Sequence, residues 1–151
     1  MMPFTAKGFT LVELIGVIVI AGILATVAAP RFFSAATFAS RGYADAAASF
    51  LRYAQKLSIA RHGGVSVVVD SDGLTLCKVA TAGCAEADQM PGPDGSSPYR
   101  VVVPNGVSQS ADAVAISFDA QGRPDSSLTL TITGDQTRTL TVETETGYVH
   151  D

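Results

Sequence analysis

A single carboxylate within an apolar stretch is the first group in this chain whose chemistry needs an explanation. Glu13 lies in KGFTLVELIGVIVIAGILATVAAPRF, residues 7–32, of which residues 9–30 have the length and composition of a membrane-spanning helix. A carboxylate in hydrocarbon costs about 2.5–3.5 kcal/mol at the bilayer centre and less near an end, where Glu13 lies. This cost indicates that the charge of Glu13 has a use.

Cys77 and Cys84 are the only cysteines of the chain. Six residues separate them, on a predicted strand and the loop after it, a spacing that suits a local disulfide if this part of the chain lies in an oxidising compartment. Closing that loop would add about 2–3 kcal/mol of stability, and two free thiols remain the alternative. No metal site is predicted, because His62 and His150 are distant in sequence and no Cys-x-x-Cys motif occurs.

The remaining candidates for catalysis are the acidic residues of predicted turns, namely Asp70, Asp72, Asp119 and Asp125. Solvated turn positions are the expected role of such residues. The segment DSDG, residues 70–73, is too short for an EF-hand calcium loop and lacks the later glutamate of that loop. No Ser-His-Asp arrangement, glycine-rich phosphate loop or zinc pattern occurs. We therefore predict no catalytic residue, no metal, no cofactor and no enzymatic activity.

The distribution of charge argues against a nucleic-acid partner. The formal net charge of −4 combines +4 over residues 31–61 with −8 over residues 62–151, where four basic side chains face twelve acidic ones. Because phosphates need a lysine and arginine footprint, the acidic outer portion predicts that nucleic acid is not bound.

Helical periodicity continues beyond the apolar stretch. An apolar stripe suited to covering a sheet recurs at spacings of 4, 3, 4 and 3, at Tyr43, Ala47, Phe50, Ala54 and Leu57. We predict one helix over residues 9–61, kinked at Pro30, because proline removes a backbone hydrogen bond and clashes with the preceding turn. The sequence His-Gly-Gly at residues 62–64 is expected to end it.

After residue 64 the apolar period changes to two, which is typical of strands. In residues 128–133, for example, leucine and isoleucine alternate with threonine, which predicts one buried and one solvent-facing side. Predicted strands are Val65–Val69, Leu74–Val79, Tyr99–Val103, Val114–Phe118, Leu128–Thr133, Thr139–Thr144 and a short Tyr148–Val149. The loop ADQMPGPDGSSP, residues 87–98, is expected to be exposed. Together these elements predict an α+β fold, in which a long N-terminal helix packs on an antiparallel β-sheet head.

The apolar N-terminal segment has three interpretations. A cleaved secretory signal is disfavoured, because the apolar run exceeds the usual core of about 7–15 residues. An ordinary single-pass anchor fits the length but leaves Glu13 unexplained. Thirdly, the segment resembles the N-terminal signature of type IV prepilins and pseudopilins, in the Gly8-Phe9 junction, Thr10-Leu11, Glu13-Leu14, the Val/Ile/Ala run and Pro30.

This resemblance implies a processed membrane subunit. A prepilin peptidase would cut between Gly8 and Phe9 and methylate the new amino group of Phe9. The implied divisions are a leader at 1–8, a transmembrane and assembly helix at 9–30, its amphipathic half at 31–62 and a β-rich periplasmic head at 63–151. Glu13, at the fifth mature position, would pair with the N-terminal ammonium of a neighbouring subunit and set the register of assembly.

Two further stretches, SRGYADAAASFLRYAQKLSIARH and FDAQGRP…LTLTITGDQTRTLTVETETGYVH, are similar to the GspH/FimT-like branch of minor pilins, and RGYAD…LRYAQKLSIA is similar to minor pilins of mannose-sensitive haemagglutinin (MSHA) type pili. The resemblance implies a structural subunit of a type IV pilus or type II secretion pseudopilus. It would cross the bacterial inner membrane once, with its C-terminal head in the periplasm, before it enters the filament.

The partners that the resemblance implies are other pilins or pseudopilins, the prepilin peptidase and the inner-membrane assembly platform. Two alternatives remain open. One is a filament-tip adhesin or substrate-binding subunit, in which the loop at 85–98 contacts the ligand. The other is a membrane enzyme with a periplasmic head, which is disfavoured because no catalytic arrangement is present.

Overall fold

The computed structural model describes the backbone of residues 9–151 and the side chains of residues 9–26 and 38–151. The leader predicted at residues 1–8 lies outside these residues. The chain divides into two compact units, residues 1–35 and residues 36–151. Helix α1, Leu11–Arg61, contributes to both units and begins two residues after the predicted start.

The unit 36–151 contains the end of α1 and, within the described residues, eight strands. They are β1 Val65–Asp70, β2 Gly73–Cys77, β3 Arg100–Val102, β4 Ser108–Ala111, β5 Ala115–Phe118, β6 Leu128–Thr133, β7 Thr137–Val142 and β8 Val149–His150. The strands pair antiparallel in two four-stranded sheets, sheet A in the order β3-β2-β1-β5 and sheet B in the order β4-β6-β7-β8. The predicted α+β class, with a helix on antiparallel strands, is confirmed, but the strands form two sheets where one was expected.

The predicted strands differ from the structure mainly at β2, β4 and β7. Strand β2 ends at Cys77, two residues before the predicted Val79, and the bounds of the strands other than β2, β4 and β7 agree within one residue. Strand β4 was not predicted, because Ser-Gln-Ser-Ala lacks apolar alternation, and its place is set by pairing with β6. Strand β7 begins at Thr137 and ends at Val142, two residues earlier at both ends than predicted. The hairpin pairs Thr133 with Thr137, so a three-residue turn sets the register.

The core of this unit lies between α1 and the inner faces of both sheets. Four residues of the predicted stripe, Tyr43, Ala47, Phe50 and Ala54, are buried, and Leu57 is half-buried beside them. Alternate residues of β1 and β6 meet them from the two sheets. Each large side chain buried in this way stabilises the fold by about 1.5–3 kcal/mol. The ring of Phe50 also stacks on Tyr99, with centroids 4.9 Å apart.

Helix α1 ends as the sequence predicts. His62 and Gly63 adopt positive φ angles of 60° and 106°, and the Gly63 N–H donates a hydrogen bond of 2.8 Å to the Ser58 carbonyl oxygen. This geometry satisfies a carbonyl that the end of the helix would otherwise leave unpaired.

Candidate functional site

Glu13 lies in the first turn of α1. Thr10 precedes the helix, and its Oγ1 accepts a hydrogen bond of 3.3 Å from the Glu13 backbone N–H. This is half of a Ser/Thr-x-x-Glu capping box, a signal that the sequence contains and that could have placed the start of the helix. A carboxylate in the first turn is also attracted to the positive end of the helix dipole, which stabilises the helix by about 0.3–1 kcal/mol. The side chain of Glu13 is exposed, and the turn that carries it is stabilised by Thr10.

The described part of the N-terminal segment exposes its apolar side chains in every direction around α1. Each of the large apolar side chains in the following list is at least 48% exposed: Phe9, Leu11, Val12, Leu14, Ile15, Val17, Ile18, Val19, Ile20, Ile23 and Leu24. A helix that is apolar on all sides is stable only when lipid or other helices cover it. This segment therefore needs partners that lie outside the single chain.

Among the side chains that the structure describes, no helix reaches both the length and the hydropathy needed to cross a membrane. Gly8 and the side chain of Pro30 lie outside the described set, although the backbone is helical at residue 30. The cleavage at Gly8-Phe9, the kink at Pro30 and the transmembrane segment at 9–30 therefore stay predictions.

The second half of α1 is joined to both sheets by side-chain hydrogen bonds. Gln55 Nε2 donates to the carbonyl oxygens of Gly122, at 3.1 Å, and Thr146, at 2.9 Å. These two carbonyls follow β5 and β7, so one side chain links the helix to a loop of each sheet. Ser58, fully buried, donates to the Phe118 carbonyl oxygen at 2.8 Å. The helix is thereby oriented on the head by polar contacts as well as by packing.

A second connection joins α1, sheet A and sheet B at Gln109 of β4. Gln109 Nε2 donates to the carbonyl oxygens of Gly73, at 2.9 Å, and Asp70, in the turn between β1 and β2. Its Oε1 accepts the hydroxyl hydrogen of the buried Tyr43. Burial raises the pKa of the Tyr43 phenol, and the negative charge of Asp70 raises it further, so the hydroxyl stays a donor.

Cys77 and Cys84 are joined as a disulfide. They form, with Val68 and Ala115, a small apolar cluster separate from the main core. Cys77 ends β2, and the bond attaches the 78–84 loop to the face of sheet A that lies opposite α1. The pair therefore restrains the start of the long connection between β2 and β3.

The loop at residues 87–98 is less open than predicted. Gln89 forms a β-bridge with Cys77, and Met90 is fully buried in the main core. The Met90 N–H donates to the Leu76 carbonyl oxygen at 3.0 Å, which extends the pairing of β2. The expectation of an exposed loop is wrong at these positions, because an apolar side chain entering the core anchors the connection. Its remaining residues, 91–98, are largely exposed.

The clefts of the head offer no catalytic arrangement in the region described. One cleft, of about 440 Å³, is an open depression lined by Ser71, Asp72, Arg100 and the 102–107 segment. The described residues contain no group of three or more His, Cys, Asp or Glu that could hold a metal ion. Asp70 and Asp119 cap their own turns instead. Asp70 Oδ1 accepts the Asp72 N–H, and Asp119 Oδ1 accepts the N–H groups of Arg123 and Gln121, which lower the pKa of Asp119.

Comparison with known proteins connects both parts of the chain to one class. Residues 4–29 match the prokaryotic N-terminal methylation motif, and residues 43–147 match the family described as type II transport protein GspH. The type IV narrow pilus major component PilA5 of Thermus thermophilus is 43% identical over 60 residues, which are 40% of this chain and 52% of PilA5. The match therefore spans about half the length of that curated relative.

Crystal structures of the type IV minor pilin FimU of Pseudomonas aeruginosa PAO1 share the fold. In space groups P21 and P65 they give TM-scores of 0.57 and 0.55 at 14% and 15% identity. The similarity covers 73% of this chain and 85% and 90% of the two FimU chains. The helix-and-sheet head, the exposed apolar N-terminal segment and the two family matches agree, and the chain belongs to the GspH family of type IV pilin-like proteins.

Proposed function

We propose that this protein is a structural subunit, of the minor class, in a type IV pilus or type II secretion pseudopilus. It is held in the bacterial inner membrane by its N-terminal helix, with the head in the periplasm, and then packs among other pilins in the filament. The observation that carries the proposal is the exposed apolar surface around the described N-terminal segment, in a chain whose 36–151 unit has a core of its own.

The size of this exposed apolar surface explains why it must be buried by lipid or by other subunits. Burying a large apolar side chain is worth about 1.5–3 kcal/mol, so the eleven exposed ones from Phe9 to Leu24 represent on the order of 20 kcal/mol. Lipid can supply this burial before assembly, and the helices of neighbouring subunits can supply it afterwards. A partner that covered only one side of the helix would leave the opposite side exposed.

Processing and membrane extraction form part of the same proposal. A prepilin peptidase cuts between Gly8 and Phe9 and methylates the Phe9 amino group, and the assembly platform of the inner membrane delivers the mature chain to the filament. The match of residues 4–29 to the N-terminal methylation motif supports this step, since it contains both residues of the junction.

Glu13 has an intersubunit role in this proposal. Its contact with the helix dipole is worth about 0.3–1 kcal/mol, whereas a carboxylate costs about 2.5–3.5 kcal/mol at the bilayer centre and less near the end of the segment, where Glu13 lies. A neighbouring ammonium at Phe9 would offset the difference, because opposite charges attract strongly where the dielectric is low. The pairing would therefore be made in the filament, where such an ammonium is close.

The test replaces Glu13 by glutamine, which keeps the shape and removes the charge. We expect Glu13→Gln to insert into the membrane and fold its head normally, yet to be at least tenfold depleted from sheared filaments at equal membrane abundance. Glu86→Gln, the same change at an exposed position of the head, is the matched control and should be incorporated like the wild type. Equal incorporation of Glu13→Gln and the wild type would refute the assembly role of Glu13.

A further inference from the structure

The outer face of sheet B carries a regular array of hydroxyl groups. The apolar residues of β6 point into the core, so Thr129, Thr131 and Thr133 point outward. Three directly opposed pairs result on β6 and β7: Thr129–Thr141, Thr131–Thr139 and Thr133–Thr137. On β4, Ser108 lies opposite Thr133 and Ser110 lies opposite Thr131. We call these eight residues the threonine face.

The eight residues of the threonine face are uncharged, although the head that carries them is strongly acidic. One exposed carboxylate, that of Asp112, borders the face, where its Oδ1 accepts a hydrogen bond of 2.8 Å from the Thr129 backbone N–H. Its positions extend about 13 Å along the strands and about 10 Å across three strands. Within the described part of the chain, no hydrogen bond uses the side-chain hydroxyl of any of its six threonines. The high strand propensity of threonine explains why it occurs on a solvent-exposed face of a sheet. Charged residues are also found on such faces, where they keep neighbouring molecules away, and this array has none. Ser108 donates its hydroxyl to the Thr133 carbonyl oxygen at 3.5 Å, and the six threonine hydroxyls of the array are free to donate to and accept from a partner.

An aromatic and polar cluster borders this face on β8. His150 lies opposite Thr141, and the ring of Tyr148, 63% exposed, stacks on His150 with centroids 5.6 Å apart. His150 Nε2 also lies 2.9 Å from Glu143 Oε1. The edge of the threonine face thus combines an exposed aromatic ring with a carboxylate and an imidazole.

This combination fits one class of partner. Hydroxyl and methyl groups in a flat array can meet the hydroxyl and C–H groups of an extended sugar chain, and an exposed aromatic ring at the edge can cover the apolar face of a sugar. Anionic polymers and anionic lipids are disfavoured, because the face offers no cation to pair with them and the head is acidic. A second copy of the chain is also disfavoured, since the face lacks the apolar and aromatic core of a stable protein interface.

We propose that the threonine face, together with Tyr148, binds a flat surface of neutral polysaccharide. This goes beyond the role of a filament subunit and assigns the binding to sheet B, away from the loop at residues 85–98. The affinity of one array for one chain is expected to be weak, and many copies along a repeating surface would raise it by avidity.

The experiment uses the full chain in polyoxyethylene detergent, since a sugar-headed detergent would compete for the face. Microcrystalline cellulose is the extended neutral probe, starch granules are a coiled neutral one and alginate beads are an anionic one. We expect sedimentation with cellulose, at least fivefold less with starch and none with alginate. Thr139→Lys and Tyr148→Ala should each lower binding to cellulose at least tenfold, and Thr139→Val, which keeps the branched side chain, about threefold.

The matched control is Thr81→Lys, the same substitution at an exposed threonine off the face, which should bind like the wild type. Absence of wild-type binding to cellulose, or equal binding of Thr139→Lys and Thr81→Lys, overturns the proposal. So does a change in self-association of Thr139→Lys, measured by analytical ultracentrifugation, without a change in cellulose binding. The assay needs no assembled filament, so its failure leaves the proposed subunit role untouched.

Discussion

Gln109 joins three elements of the head, and its replacement by leucine tests how much that connection contributes to stability. The side chain bonds to Tyr43 on α1 and to two carbonyl oxygens of the β1–β2 turn in sheet A, while its backbone belongs to sheet B. Leucine has a similar volume and cannot make any of these contacts. We expect Gln109→Leu to lower the free energy of unfolding by about 2–4 kcal/mol.

The magnitude follows from the groups that lose a partner. The Tyr43 residue is only 4% exposed, and a buried donor without an acceptor costs about 1–3 kcal/mol. The hydrogen bond to the Asp70 carbonyl oxygen is exposed and the one to the Gly73 carbonyl oxygen is partly buried, so losing both adds about 1 kcal/mol. For a unit of this size the sum corresponds to a fall of roughly 10 °C in Tm.

A double-mutant cycle with Tyr43→Phe separates the cost of leaving the Tyr43 hydroxyl without an acceptor from the other effects of replacing Gln109. Because the phenylalanine variant has no hydroxyl to leave unpaired, the double variant should be less destabilised than the sum of the single ones, by about 1–2 kcal/mol. Urea unfolding followed by circular dichroism, at constant detergent, measures each corner. Gln121→Leu, at an exposed glutamine, should change stability by less than about 0.5 kcal/mol. Strict additivity, or a loss for Gln109→Leu no larger than that of Gln121→Leu, would contradict the reasoning.

Three further outcomes are expected. Intact-mass measurement on membrane-extracted protein should show a chain that begins at N-methylated Phe9, whereas Gly8→Val should keep its leader; an uncleaved wild-type chain would argue against processing. Alkylation without reductant should label neither Cys77 nor Cys84, and replacing both by serine should cost about 2–3 kcal/mol in urea unfolding; full labelling of the untreated protein would show that the bond is not formed in the cell. Gly147→Ala should lose at least about 2 kcal/mol, because φ is +66° and an added Cβ would overlap a carbonyl oxygen of the 119–125 turn; wild-type stability would rule out that clash.

Local patterns in the sequence were sufficient for most of the elements and for the family. The 4-3-4-3 apolar spacing identified the face of α1 that is buried, and the alternation in residues 128–133 identified the inner and outer sides of β6. Both patterns can be read directly, because the period of an element determines which side chains share a face. The signature around Gly8, Phe9 and Glu13 likewise lies in consecutive residues, so no tertiary information was needed to recognise it.

The tertiary structure decided which strands pair and which polar side chains meet. Strand β4, the burial of Met90 and the contacts of Gln109 have no local signal, because each depends on partners that lie well outside the segment itself. The same holds for the threonine face. The alternation in residues 128–133 predicted outward threonines on one strand, but only the register of β4, β6, β7 and β8 places the hydroxyls of several strands in one array beside Tyr148. The alternation of side chains is determined within one strand. A surface shared by several strands depends on long-range strand pairing, which forms only together with the core.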